Sequence, residues 1–185
     1  MYYEKNFKLK EVYIISKLYG FGNFLKKAES NCGSILWIVK RGFNIRRNVM
    51  GERAETAVKK HDLGYNCCQA VACSFADKLG MDESTLYRVC EGFGMGMGNA
   101  RGVCGAMSGA AVICGLLYSD GNTEAAGMTK AKTTKAAAAI QKKFVERAGA
   151  LDCIDIKTGN DGRMFTSCEN CIRIAAELVE EELGL

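Results

Sequence analysis

Proline is absent from the 185 residues, and histidine and tryptophan occur once each. Without proline the chain lacks the residue that most effectively interrupts a helix, because no ring clashes with a preceding turn and no backbone N–H is lost. A single histidine, His61, excludes a His-rich metal centre and leaves a Cys–His nucleophile pair poorly supported. A surface position on a helix is the simpler reading of it. Long apolar runs are also missing. The longest near the start, Ile35 to Val39, covers five residues, against the ~20 needed to cross a bilayer as a helix. No membrane insertion is expected. Lys17 and Lys26 interrupt any signal-peptide core, and Arg46-Arg47 has no apolar stretch behind it. These features predict a cytoplasmic protein.

Cysteine, in contrast, is abundant, with ten residues. In a reducing compartment such a number points to redox or metal chemistry, not to a stable disulfide framework. The net charge of +4 conceals an asymmetry: residues 1–49 carry a net +7 and the remainder a net −3. The basic segment has no regular basic–aromatic pattern and no nucleic-acid motif, so a nucleic-acid partner is not expected.

A domain boundary falls near Met50. Residues 1–49 have scattered aromatics and weak periodicity, and two readings stay open for them. One is a loosely packed, basic N-terminal extension. The other is upstream sequence ahead of a true initiator at Met50. Residues 50–185 predict one all-α, cysteine-rich domain, a compact bundle of about five helices. Helical periodicity covers Glu52 to Asp62. Asn66 and Gln69 form a capping box that opens a second segment running to a stop at Gly80. A short helix follows from Asp82 to Cys90. The glycine-rich run Gly92-Phe93-Gly94-Met95-Gly96-Met97-Gly98 then reads as a loop.

Behind it, Gly102 to Tyr118 is almost wholly apolar, the pattern of a central buried helix. Gly105, Gly109 and Gly115 each cost this helix roughly 1 kcal/mol against alanine, which predicts close approach of a neighbouring helix or a bound group. Gly98, Gly105 and Gly109 are the candidates for making room for a cofactor. The lysine-rich stretch Thr123 to Ala148 predicts a helix with a solvated face, residues 149–165 a loop, and Thr166-x-x-Glu169 a capping box for the last helix. No alternating β pattern is present.

The glycine run does not make a nucleotide site. A dinucleotide fingerprint needs a preceding strand and a later acidic residue, and a phosphate loop needs Lys-Ser/Thr. No nucleotide cofactor is expected. Cysteines at helix starts are more informative, because free N–H groups and the macrodipole there stabilise a thiolate. Cys67 follows the cap Asn66, Cys104 follows the glycine loop, and Cys168 follows Ser167; Cys153 sits in a loop past the long helix. Four sulfurs aimed at one point would repel as thiolates unless a metal, an iron–sulfur cluster or disulfide formation relieved them. Cys168 and Cys171 form a C-x-x-C on one helical turn, suited to dithiol exchange or chelation. Cys73, Cys90 and Cys114 read as core packing. Cys68 points away from Cys67, Cys32 lies in the basic extension, and Met95 and Met97 read as gap-fillers.

Gly64-Tyr65-Asn66-Cys67-Cys68-Gln69-Ala70-Val71, Gly92-Phe93-Gly94, Met97-Gly98 and Cys104-Gly105-Ala106-x-x-Gly109 together resemble the C_GCAxxG_C_C family of redox-active proteins. The resemblance covers roughly residues 50–183. It implies redox activity with a bound prosthetic group and four characteristic cysteines: Cys67, Cys104, Cys153 and Cys168, with Cys171 as alternate for the last. The family pattern has a proline after the fourth cysteine, where this chain has Glu169. The expected function is electron transfer, with a redox partner protein left unidentified. It would proceed through an iron–sulfur cluster or other thiolate-bound metal at Cys67, Cys104, Cys153 and Cys168, or through thiol–disulfide exchange. Four sulfurs are one pair more than exchange needs, which favours the bound group. A zinc-binding module and a helical interaction protein are the alternatives.

Overall fold

The computed structural model describes residues 51–185. The expectations for the basic extension, Cys32 and an initiator at Met50 lie outside the described residues. Within them the fold is helical, and the only β pairing is a pair of isolated bridges, Val103 with Asp152 and Asn160 with Arg163.

Helix α1 spans Glu52–Asp62, with Glu52 and Glu55 in its first turn and Lys59, Lys60 and His61 in its last. That polarity complements the helix macrodipole. Ala54, Ala57 and Val58 form its buried stripe. Helix α2, Cys67–Cys73, opens on the predicted capping box: the Asn66 side chain accepts from the N–H groups of Cys68 and Gln69, and the Gln69 side chain accepts from the Asn66 N–H at 2.9 Å. The second segment does not run unbroken to Gly80. Ser74 turns its hydroxyl back to the Val71 carbonyl at 2.7 Å, and Arg53 takes the Ser74 carbonyl at 2.7 Å. The helix breaks there, and α3 resumes over Ala76–Leu79 before Gly80 ends it in the left-handed region. Helix α4 covers Glu83–Cys90, capped by Asp82.

Helix α5, Gly105–Tyr118, packs against α2 and two later helices, α6 (Lys130–Ala148) and α8 (Cys168–Leu183). It is the central helix that its apolar sequence predicts. Gly109 shows why glycine is needed there: a Cβ would stand 2.7 Å from the Cys68 carbonyl and 3.0 Å from the Val71 Cβ. Gly115 does not share that role, for a Cβ there meets nothing within 4 Å. Helix α6 begins later than its sequence suggests and buries a single stripe of Ile140, Phe144 and Ala148. Most of its lysines are exposed, and Lys143 pairs with Glu182 of α8. Arg147 reaches Glu181 of α8 at 2.6 Å.

The stretch 149–165 is not all loop. Cys153–Thr158 forms a short helix, α7. Its start is fixed by tertiary contacts that local sequence does not show: Cys153 N–H donates to the Gly102 carbonyl at 3.0 Å, and Ile154 N–H to the Ala100 carbonyl at 2.7 Å. Helix α8 buries Cys171, Ile172, Ala175, Ala176, Leu178 and Val179, the repeat of an amphipathic helix against a core. Its cap is Ser167, which accepts from the Asn170 N–H at 3.1 Å. The expected Thr166–Glu169 box is not formed, because Thr166 accepts from the Asn170 side chain at 2.6 Å instead.

Candidate functional site

The site lies where the starts of α2, α5, α7 and α8 meet. Cys67 is the first residue of α2, Cys153 the first of α7 and Cys168 the first of α8. Cys104 is the N-cap of α5, one position earlier than its expected place in the first turn. The Val103–Asp152 bridge sets Cys104 and Cys153: Cys104 N–H donates to the Leu151 carbonyl at 2.9 Å, as Cys153 does to Gly102. Residues 102, 104, 151 and 153 therefore face the same side of this short ladder, because successive residues alternate across it.

The strap between α4 and α5 closes the site from one edge. Met95 (φ 52°, ψ 40°) and Gly96 (φ 59°, ψ 54°) are left-handed, as are Met97 (φ 59°) and Gly98 (φ 85°). With Gly98 N–H donating to the carbonyl of an extended Gly94 at 2.9 Å, Met95–Met97 form one left-handed turn. Such a turn costs roughly 1–2 kcal/mol per non-glycine residue, so it is held by its surroundings. Gly96 lies against the site itself, since a Cβ there would stand 2.8 Å from both the Cys153 Cβ and the Gly102 carbonyl. Gly94 lies against Asn66, whose amide donates to the Glu91 carbonyl at 2.9 Å. Asn66 thus caps α2 and pins the strap together. Gly105 brings α5 onto α2: a Cβ there would meet the Cys67 Cβ at 3.2 Å. At Gly109 the neighbour that fills the space is α2, and at Gly105 it is α2 together with the Phe93 carbonyl at 3.0 Å. Around Gly98 nothing lies within 4 Å of a Cβ, and its left-handed backbone is the reason for glycine there.

The sulfurs fall into pairs by their mutual influence. Cys168 is the neighbour that acts most strongly on Cys67, and Cys171 the one that acts most strongly on Cys104. Cys67 is half-buried and Cys168 exposed, whereas Cys104 and Cys171 are 4% and 2% exposed. One pair therefore lies at the surface and the other beneath it. Within each pair one sulfur is the better thiolate. The Cys67 thiol, with help from Lys157 and His61 and against burial, lowers Cys168 to about 6. The Cys171 thiol, opposed by burial and assisted by the N–H groups of Ala106 and Met107, lowers Cys104 to about 7. Their partners shift the other way: contact with Cys168 and then burial push Cys67 up, and contact with Cys104 and then burial push Cys171 up. Both thiolates sit at helix starts, where free N–H groups favour the charge. Cys153 lies within the electrostatic field of Cys104 and Cys168, and burial raises its thiol while Lys157 opposes.

His61 and Lys157 are functional candidates that the sequence reading did not select. His61 Nδ1 lies 2.8 Å from the Tyr65 carbonyl. A carbonyl can only accept, so Nδ1 carries a hydrogen and donates it there. Cys171, the alternate in sequence, is brought fully into the site. Cys68 is not: it contacts Cys90 in a separate small cluster with Ala72. Cys73 and Cys114 are buried, and burial first pushes them up to about 12 and about 11, as packing cysteines.

Among the described residues no three His, Cys, Asp or Glu side chains are grouped so as to hold a metal ion. The donor set, all thiols, suits a soft metal or an iron–sulfur cluster, but its arrangement is one of pairs. Residues 65–182, more than half of the chain, match the family model described as "Putative redox-active protein (C_GCAxxG_C_C)". The chain belongs to the C_GCAxxG_C_C family. No curated protein and no solved structure matches it. The match includes Cys67, Cys104, Cys153 and Cys168 as well as Cys171, so all five cysteines of the candidate site fall within the matched residues. Among the described residues no helix is long and apolar enough to cross a membrane.

Proposed function

We propose that this member of the C_GCAxxG_C_C family exchanges thiols for disulfides with a partner protein, using Cys168 as the attacking thiolate and Cys67 as the resolving thiol. The observation that carries the reading is an exposed Cys168 and a half-buried Cys67, each the first residue of its helix, and each the strongest influence on the other. Cys168 is held as a thiolate by the start of α8, the Cys67 thiol, Lys157 and His61.

In the exchange, the Cys168 thiolate attacks one sulfur of the partner disulfide, and the other sulfur leaves as a thiolate. Cys67 then passes its proton to the partner thiolate just released and attacks the Cys168 sulfur of the mixed disulfide, which releases the second partner thiolate. Two electrons pass to the partner, and a Cys67–Cys168 disulfide remains. Cys104 and Cys153 border the reacting pair. A cluster or metal held by Cys67, Cys104, Cys153 and Cys168 is a second reading, favoured by the all-thiol donor set; the pairing of the sulfurs favours exchange.

Anaerobic purification followed by metal and sulfide analysis and a C67S trap separates the two. Under the exchange reading, C67S accumulates a mixed disulfide at Cys168 with an added protein disulfide. Stoichiometric iron and sulfide, or zinc, with no mixed disulfide would overturn it.

A further inference from the structure

Two dithiols lie one behind the other, and a single helical turn connects them. Cys168 and Cys171 are three apart on α8, on one side of its first turn. Cys168 belongs to the exposed pair with Cys67, and Cys171 to the buried pair with Cys104. The exchange proposed above uses only the first pair. The second is nearly inaccessible at 4% and 2% exposure, so a bulky partner cannot reach it directly. Yet Cys104 is the N-cap of α5, a position that favours a thiolate and that a packing cysteine does not need.

We propose that Cys171 relays disulfide bonds from the outer pair, Cys67 and Cys168, to an inner store at Cys104 and Cys171. The inference rests on the dithiol reading of Cys67 and Cys168. Starting from the Cys67–Cys168 disulfide, the Cys171 thiol passes its proton to the Cys104 thiolate, its neighbour in the core. The Cys171 sulfur attacks Cys168; the Cys168–Cys171 disulfide forms and Cys67 leaves as a thiolate. Cys104 gives its proton to that thiolate, directly or through solvent, and attacks Cys171. The Cys104–Cys171 disulfide forms and Cys168 leaves, again a thiolate at the start of α8. The inner pair is oxidised by two electrons and the outer disulfide is reduced by two. The one proton and one negative charge first carried by Cys171 and Cys104 end on Cys67 and Cys168. A second partner disulfide can then oxidise the outer pair again, so the full chain holds two disulfides.

The fully reduced chain is mixed with one equivalent of oxidised glutathione, quenched with acid over time, alkylated and mapped by peptide mass spectrometry. The expected result is a Cys67–Cys168 link that appears first and decays as a Cys104–Cys171 link grows. C171S should lose the inner link and retain the outer one. C104S should halt with the disulfide on Cys67–Cys168 or Cys168–Cys171. If the outer link forms in the wild type and the inner link never follows, the relay is overturned and the exchange reading stands. If the inner link forms equally fast in C168S, oxidation is direct and the relay is again overturned. If neither link forms, the exchange reading itself falls, and the relay with it.

Discussion

Replacing Cys67 with alanine should move the pH at which Cys168 reacts with iodoacetamide upward from its wild-type midpoint of about 6. Loss of the Cys67 thiol removes the largest cause of the depression and leaves Lys157, His61 and the N–H groups of α8. With burial still raising the thiol against Lys157 and His61, the expected midpoint for the variant lies well above about 6. The absolute rate is a poorer guide than the midpoint. At pH 7 a thiol of about 6 is roughly nine-tenths ionised, against about 3% for one at ~8.5, a gain of about thirtyfold. Intrinsic nucleophilicity falls with pKa at a Brønsted slope of about 0.4–0.5, which returns about tenfold of that gain. The net advantage is only about two- to threefold, whereas the midpoint differs by whole units. The assay is pulsed alkylation from pH 4.5 to 9.5 followed by peptide mapping of Cys168. Conformational stability shares the sign: the folded thiolate contributes fully above ~8.5, and the contribution is lost as pH falls through about 6. A wild-type midpoint near 8.5, or no change in C67A, would refute the assignment of Cys168 as the thiolate of the pair.

The remaining expectations concern how the site is built. Gly109→Ala should lose about 1–3 kcal/mol in urea titration through overpacking, because a Cβ would stand 2.7 Å from the Cys68 carbonyl. Gly115→Ala, where no atom lies within 4 Å, should gain about 0.5–1 kcal/mol in the same measurement. Gly96→Ala should cost about 2–4 kcal/mol through overpacking and its left-handed backbone, with alkylation of Cys153 rising because the alanine displaces it. Asn66→Ala should cost about 1–2 kcal/mol through loss of the cap. It should also speed hydrogen exchange in the strap that Asn66 holds through the Glu91 carbonyl.

Local chemistry was legible in the sequence, and its tertiary use was not. The capping box at Asn66 and Gln69 could be read directly because both partners lie within one turn. The stop at Gly80 was legible for the same reason. The break at Ser74 was hidden, since Arg53 of another helix takes the carbonyl that opens it. Cys153 was read as a loop residue because α7 depends on backbone contacts with Gly102 and Ala100, about fifty residues earlier. Cys67, Cys104, Cys153 and Cys168 could be picked out at helix starts and beyond the long helix. How they associate could not, because it follows from the packing of α8 against α5 and α2. Cys171 shows the limit most clearly: spacing gives it the face of Cys168, and only the neighbouring α5 gives it Cys104.

The left-handed turn at Met95–Met97 has a stereochemical consequence. Its backbone is the mirror image of ordinary helix, so D-residues are its natural occupants. At Gly98, with φ 85°, D-alanine introduced by chemical ligation should stabilise the strap by about 0.4–1 kcal/mol, by narrowing the unfolded ensemble towards a backbone that its hand prefers. L-alanine at the same position fits the space and opposes the backbone. A protein made of L-residues can close this site only with glycines, or with residues such as Met95 and Met97 held against their preferred hand.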